Sequence, residues 1–109
     1  MAKIKIRSEG HLLDWVYLRI IIGTDSPEGF VKGKAIAKDA SITEAKVRSL
    51  VNALRQMRIP VCATSNGYWL STSKEEVRAQ VVSLEGRVRE IARAVAGLRR
   101  YLSSKEVPC

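Results

Sequence analysis

The residues best suited to chemistry lie between Glu44 and Gln56. Wound as a helix at about 100° per residue, this stretch gathers Ala45, Ser49, Asn52 and Gln56 on one face. Lys46, Arg48 and Arg55 flank that face. Asn and Gln carry a paired donor and acceptor that match the edge of adenine, and Arg matches guanine or grips phosphate. The chemistry on offer is recognition of a nucleic acid by hydrogen bonding in a groove. The same face also reads as the solvated side of an ordinary amphipathic helix. On the opposite side Val47, Leu50, Val51 and Leu54 follow i, i+3, i+4, i+7, which is a buried stripe.

The neighbouring elements bear on that choice. Lys32 to about Ala40 reads as a short preceding helix, with Ile36 and Ala37 inward and Lys34 and Lys38 outward. Between the two helices, Ser41 with Glu44 matches a capping box, and Thr43 is an equally good N-cap. Ile59-Pro60 ends the second helix, because the residue before a proline is pushed out of the αR region. Val61 to Ser65 and Tyr68 to Ser71 read as two strands, closed by Asn66-Gly67 in a type I′ turn. In that register Thr64 faces Trp69 and Ala63 faces Leu70. Tyr68 and Trp69 read as rings packed on the core or across the strands rather than as stacking platforms for bases.

Upstream, His11 to about Ile22 forms a mostly buried helix whose Asp14 and Arg19 must find an exposed side. Gly23 is its expected stop. Thr24 to Gly29 is turn chemistry, and Phe30-Val31 fits a short first strand. Short helix, turn, second helix and hairpin, from Lys34 to Leu70, make the plan of a winged helix-turn-helix. Such a module lays its second helix into the major groove of DNA. On that plan the candidate DNA contacts are Lys34, Thr43, Ala45, Lys46, Arg48, Ser49, Asn52, Arg55, Gln56 and Asn66. The hairpin tip, Ser65-Asn66-Gly67, carries no cation, so it offers a backbone or phosphate contact at most.

Charge agrees with a polyanionic partner. The 109-residue chain holds 19 Lys and Arg against 11 Asp and Glu, a formal net charge of +8. The excess is spread along the chain, so the DNA argument does not rest on a basic tail. Lys3-Ile4-Lys5-Ile6-Arg7 alternates basic and apolar residues and fits either an edge strand or a basic arm. Two cysteines, Cys62 and Cys109, make no disulfide framework, and with a single histidine, His11, no zinc-ligand spacing exists. A reducing cytosol is the expected setting. No secretory leader or membrane span is expected, since the apolar run Val16 to Ile22 is short and carries Arg19.

A second pattern begins after Ser73, which can cap a helix with Glu76 three residues on. Val77, Val81, Leu84, Val88, Ile91, Val95, Leu98 and Leu102 are spaced by four and three residues in strict alternation. That 3.5-residue period is the seam of a coiled coil. Val81, Val88, Val95 and Leu102 take a positions, and Val77, Leu84, Ile91 and Leu98 take d positions. β-branched residues at three of the four a positions, with Leu at two of the four d positions, favour a parallel two-stranded coil. The small residues Ala92, Ala94, Ala96 and Gly97 leave room for further helices, and a helix packed on its own domain is the competing reading. Gly86 and Gly97 each weaken an isolated helix by up to about 1 kcal/mol relative to Ala, which again points to a partner.

Certain local sequences are familiar. Ile42-Thr43-Glu44-Ala45-Lys46-Val47-Arg48 resembles the start of the recognition helix in many bacterial and phage helix-turn-helix proteins. The run Val47 to Leu54, then Ile59-Pro60-Val61-Cys62 and Gly67-Tyr68-Trp69-Leu70, then Ser83-Leu84 and Arg87, resembles a group of small phage and prophage winged-helix proteins. The resemblance covers roughly Lys34 to Leu102. It implies DNA binding in phage replication or gene control, with Arg48 and Asn52 as base or phosphate contacts. It also implies the cytosol of a bacterial host. The Lys3 to Arg7 segment and the uncharged wing depart from the pattern.

The expected fold class is therefore mainly α with a small β-hairpin wing (α+β). Residues 1–9 are the arm or edge strand, 10–72 the winged helix-turn-helix, 73–103 a dimerisation helix and 104–109 a tail. The expected function is sequence-specific binding of double-stranded DNA by a homodimer or higher assembly, in transcription control or replication-origin recognition. The alternative is a winged-helix adaptor that binds protein. No cofactor, metal or small-molecule ligand is implied. An enzyme is the weakest reading: no paired carboxylates, Ser/His/Asp order or phosphate-cradling glycine loop occurs.

Overall fold

A computed structural model of the chain describes residues 9–104. The Lys3 to Arg7 segment, Cys109 and most of the expected tail lie outside the described residues. The order of elements is α1 (Glu9–Thr24), α2 (Gly33–Ala40), α3 (Glu44–Gln56), β1 (Val61–Thr64), β2 (Gly67–Leu70) and α4 (Lys74–Ser103). The protein is mainly helical, with a small antiparallel sheet of two strands and a long C-terminal helix. It divides into two compact units after Val77, so the first turn of α4 belongs with the N-terminal unit. Among the described residues, no helix is long and apolar enough to cross a membrane.

The buried stripe of α3 is as its periodicity predicts: Val47, Leu50, Val51 and Leu54 are all in the core. They meet Val16 and Ile20 of α1, Ile36 and Ala37 of α2, and Val61 of β1. Fully burying one such aliphatic side chain stabilises by about 1.5–3 kcal/mol, so this stripe fixes which face of α3 remains outside.

Both short helices end the same way. After α2, Ser41 takes a left-handed conformation at φ 56°. The Ile42 amide donates to Ala37 O at 3.0 Å and the Ser41 amide to Lys38 O at 3.3 Å. After α3, Arg58 stands at φ 67°, with the Ile59 amide on Leu54 O at 3.2 Å and the Arg58 amide on Arg55 O at 2.9 Å. These are Schellman closures, usually made with glycine. Ser41 thus terminates α2 and does not cap α3, which overturns the capping-box option. Thr43 is the N-cap, its hydroxyl accepting from the Lys46 amide at 3.0 Å.

The hairpin forms, with a register different from the sequence expectation. Thr64 pairs with Gly67, Ala63 with Tyr68, Cys62 with Trp69 and Val61 with Leu70. The connecting residues are Ser65 and Asn66, neither of which has the positive φ that a type I′ turn needs. Thr64 Oγ1 accepts from the Asn66 amide at 3.1 Å and tightens the turn. Gly67 is instead placed under the Phe30-Val31 segment: at φ 154°, an added Cβ would lie 2.6 Å from Val31 O. The shift moves each partner by two residues, so every side chain keeps its face. Val31 meets the hairpin through one antiparallel bridge to Tyr68, with N···O distances of 2.9 and 2.8 Å, and no strand extends from it.

Gly23 does not stop α1. It is buried inside the last turn, where an added Cβ would lie 2.6 Å from Val31 Cβ. Thr24 ends the helix and joins it to the hairpin: its hydroxyl donates to Ile20 O at 2.7 Å and accepts from the Leu70 amide at 2.8 Å. Arg19 does not point freely outward. It pairs with Asp39 at 2.9 Å and lies over the Trp15 ring, 5.8 Å from its centroid, so it bridges α1 and α2.

In α4, Ser73 Oγ accepts from the Glu76 amide at 3.3 Å, as expected of an N-cap. None of the described α4 residues is buried. Seam residues Val81, Val88, Ile91, Val95, Leu98 and Leu102 are exposed, up to 80% for Leu102, while Val77 and Leu84 are half-buried.

Candidate nucleic-acid interface

The face of α3 opposite the core carries Ala45, Arg48, Ser49, Asn52 and Gln56, all exposed. Neighbours three and four apart on a helix have Cβ atoms about 5–6 Å from one another. Arg48, Ser49, Asn52 and Gln56 therefore form one continuous polar strip. Asn52 sits at its middle, one turn from both Arg48 and Gln56. Thr43 starts the strip. Its oxygen is engaged by the Lys46 amide, and its hydroxyl proton can still be donated outward.

The flanks are less uniform than the helical wheel predicts. Lys46 and Arg55 are both half-buried. Arg55 Nε donates to Val61 O at 2.9 Å, tying the C-terminal half of α3 to β1. This residue holds the hairpin against the helix rather than projecting as a free cation. Lys34, by contrast, is exposed in the first turn of α2, with Lys32 just before it and Lys38 one turn later. Asn66 is exposed at the hairpin turn. So the structure gathers five of the candidate contacts on one strip of α3, with Thr43 at its start. It puts Lys34 on α2 and Asn66 on the hairpin, and it engages Arg55 internally.

Two exposed groups were not singled out by the helical wheel. Glu44 opens α3, where the positive end of the helix dipole favours a carboxylate. It can also accept a hydrogen bond from the amino group of cytosine. Arg58 is an exposed cation held in the left-handed conformation that closes α3. Ile59-Pro60 marks where α3 must end, because the residue before proline is pushed out of the αR region, but it does not single out Arg58.

Beside the hairpin lies a polar joint. Ser71 is buried, and its hydroxyl is 2.6 Å from Glu76 Oε1 and 3.0 Å from the Ser73 amide, which donates to it. Trp69 Nε1 also donates to Glu76 Oε1, at 3.2 Å. The bonds from Ser71 and then Trp69 hold the Glu76 carboxyl below the usual glutamate range. Burial pushes the Cys62 thiol up, so it is no ready nucleophile; the hydrogen bond from Ser71 only partly opposes this. Among the described residues, no three His, Cys, Asp or Glu side chains come together to hold a metal.

No family model matches this chain, and no similar curated protein or solved structure was found.

Proposed function

We propose that the chain is a non-enzymatic, sequence-specific double-stranded DNA-binding protein that acts as a homodimer. In this reading α2, the Ser41 to Thr43 turn and α3 are a helix-turn-helix, and β1 and β2 are its wing. The observation that carries it is the division of α3. One side is wholly committed to the core, and the other presents Arg48, Ser49, Asn52 and Gln56 to solvent, with Glu44 the single acidic residue of α3, in its first turn. Asn52 suits adenine, Arg48 suits guanine or phosphate, and Lys32, Lys34 and Lys38 supply backbone neutralisation. The second half of the reading, a dimer, rests on the exposed heptad seam of α4. By its resemblance to phage winged-helix proteins, the role we assign is transcription control or recognition of a replication origin.

The test is fluorescence anisotropy against a selected duplex. Arg48→Ala and Asn52→Ala should each weaken binding to that duplex by about 1–3 kcal/mol and relax its base preference. Unchanged affinity in both would remove α3 as the reading element.

The hairpin tip favours a second reading. Ser65 and Asn66 give the wing no cation for a phosphate, and Met57 is exposed just beyond the end of α3. A winged-helix adaptor for protein would share these features. Salt separates the two: for a DNA binder, log affinity falls with log salt at a slope of about −0.9 per phosphate neutralised. An adaptor retains no duplex at physiological salt.

A further inference from the structure

We infer that α4 pairs in parallel and in register with α4 of a second copy of this chain, as a two-stranded coil. This rests on the dimer reading above and adds the direction of the pair. Six seam side chains are exposed in the single chain, among them Leu98 at 66% and Val88 at 64%. The helix is continuous from Lys74 to Ser103, so the seam runs without a break.

The side chains on the seam suit two strands, and the charges beside it set their direction. In a parallel pair each a residue meets its own copy, and β-branched side chains fit that layer. Val81, Val88 and Val95 occupy it, with Leu84, Ile91 and Leu98 in the d layers. The flanking charges agree. A parallel pair sets Gln80 near Glu85 of the second copy, Arg87 near Ala92 and Ala94 near Arg99, with no like-charge contact. An antiparallel pair centred on the same seam sets Arg78 against Arg99 twice. Aligned helix dipoles oppose the parallel arrangement, but that effect is confined to the exposed end turns and screened by salt. Arg89, Arg93 and Arg100 fall on outer b and f positions, away from the partner. Sliding one helix by a heptad would leave Val77 and Val81 of one copy without a partner layer.

Direction decides what the dimer can read. Each chain enters α4 at Lys74, so a parallel coil begins with both N-terminal units at one end. An antiparallel coil would hold the two Lys74 ends apart by the length of α4, about 45 Å at 1.5 Å per residue.

The test uses the full chain carrying Cys109→Ser, with Leu98→Cys or Val81→Cys added and a mass tag on one variant. A short thiol cross-linker should join Leu98→Cys to itself and Val81→Cys to itself, and should give no mixed product. Cross-linking only between the two different variants would overturn the proposal in favour of an antiparallel pair. Sedimentation equilibrium of the unsubstituted chain should give a dimer mass; a monomer or a larger assembly would also overturn it. Spin labels on Arg100→Cys, outside the seam, repeat the comparison without disturbing packing: a short separation is expected, and one of about 30 Å, the axial offset of an antiparallel pair, is the contrary result. None of these readouts involves DNA, so a failure here leaves the DNA reading to its own binding test.

Discussion

Ser71 Oγ lies 2.6 Å from Glu76 Oε1, joining the exit of the hairpin to the first turn of α4. The acceptor is a carboxylate whose pKa is lowered by this bond and by the bond from Trp69. A carboxyl whose pKa is lower in the folded state stabilises the fold above its unfolded pKa, near 4.3 for glutamate. That contribution is lost as pH falls further, through the lowered value. Urea titrations from pH 7 to acid should show Glu76→Gln less stable than the native chain at neutral pH. The gap should close in the acid window. A gap that stays constant with pH would show that the carboxylate charge contributes nothing.

Gly67→Ala should destabilise strongly. The new Cβ would lie 2.6 Å from Val31 O, and φ is 154°. Backbone strain of this kind costs about 1–3 kcal/mol before any clash is relieved. The urea midpoint should fall by that much or more, while Asn66→Gly at the turn beside it should change little.

Thr24→Val keeps the side-chain volume and removes the hydroxyl that receives the Leu70 amide at 2.8 Å. An unpaired, partly buried amide costs about 1–3 kcal/mol. Loss of stability in that range, with folding retained, is expected from thermal or urea unfolding.

Gly86→Ala and Gly97→Ala should stabilise. The nearest atoms to an added Cβ are the ends of flexible arginines, Arg89 Nη2 at 3.8 Å and Arg100 Nη2 at 3.9 Å. Each substitution should add up to about 1 kcal/mol of helix stability. Both positions lie off the seam, at f and c, so circular dichroism should report a higher melting temperature with dimer mass unchanged.

Periodic patterns were the legible part of this sequence. The stripe Val47 to Leu54 and the long Lys74 to Ser103 helix follow from repeats that many residues share, so no single neighbour can reverse them. Single-residue decisions were less legible. Asn66-Gly67 carries a strong local preference for a type I′ turn, but Gly67 is required where Val31 approaches, and that tertiary demand moved the turn to Ser65-Asn66. Ser41 had two local uses, and the Ala37 to Ile42 closure chose between them. Arg55 lies on the outer half of a helical wheel, which holds no information about the Val61 carbonyl that captures it. The strip Arg48, Ser49, Asn52 and Gln56 was legible because it is the complement of the buried stripe.

The most direct measurement is selection of bound duplexes from a randomised library at about physiological salt, followed by sequencing. Sequence-specific reading by α3 predicts an enriched, two-fold symmetric motif that Arg48→Ala and Asn52→Ala shift or abolish. Failure to retain any duplex, or retention with no enriched motif, would contradict it.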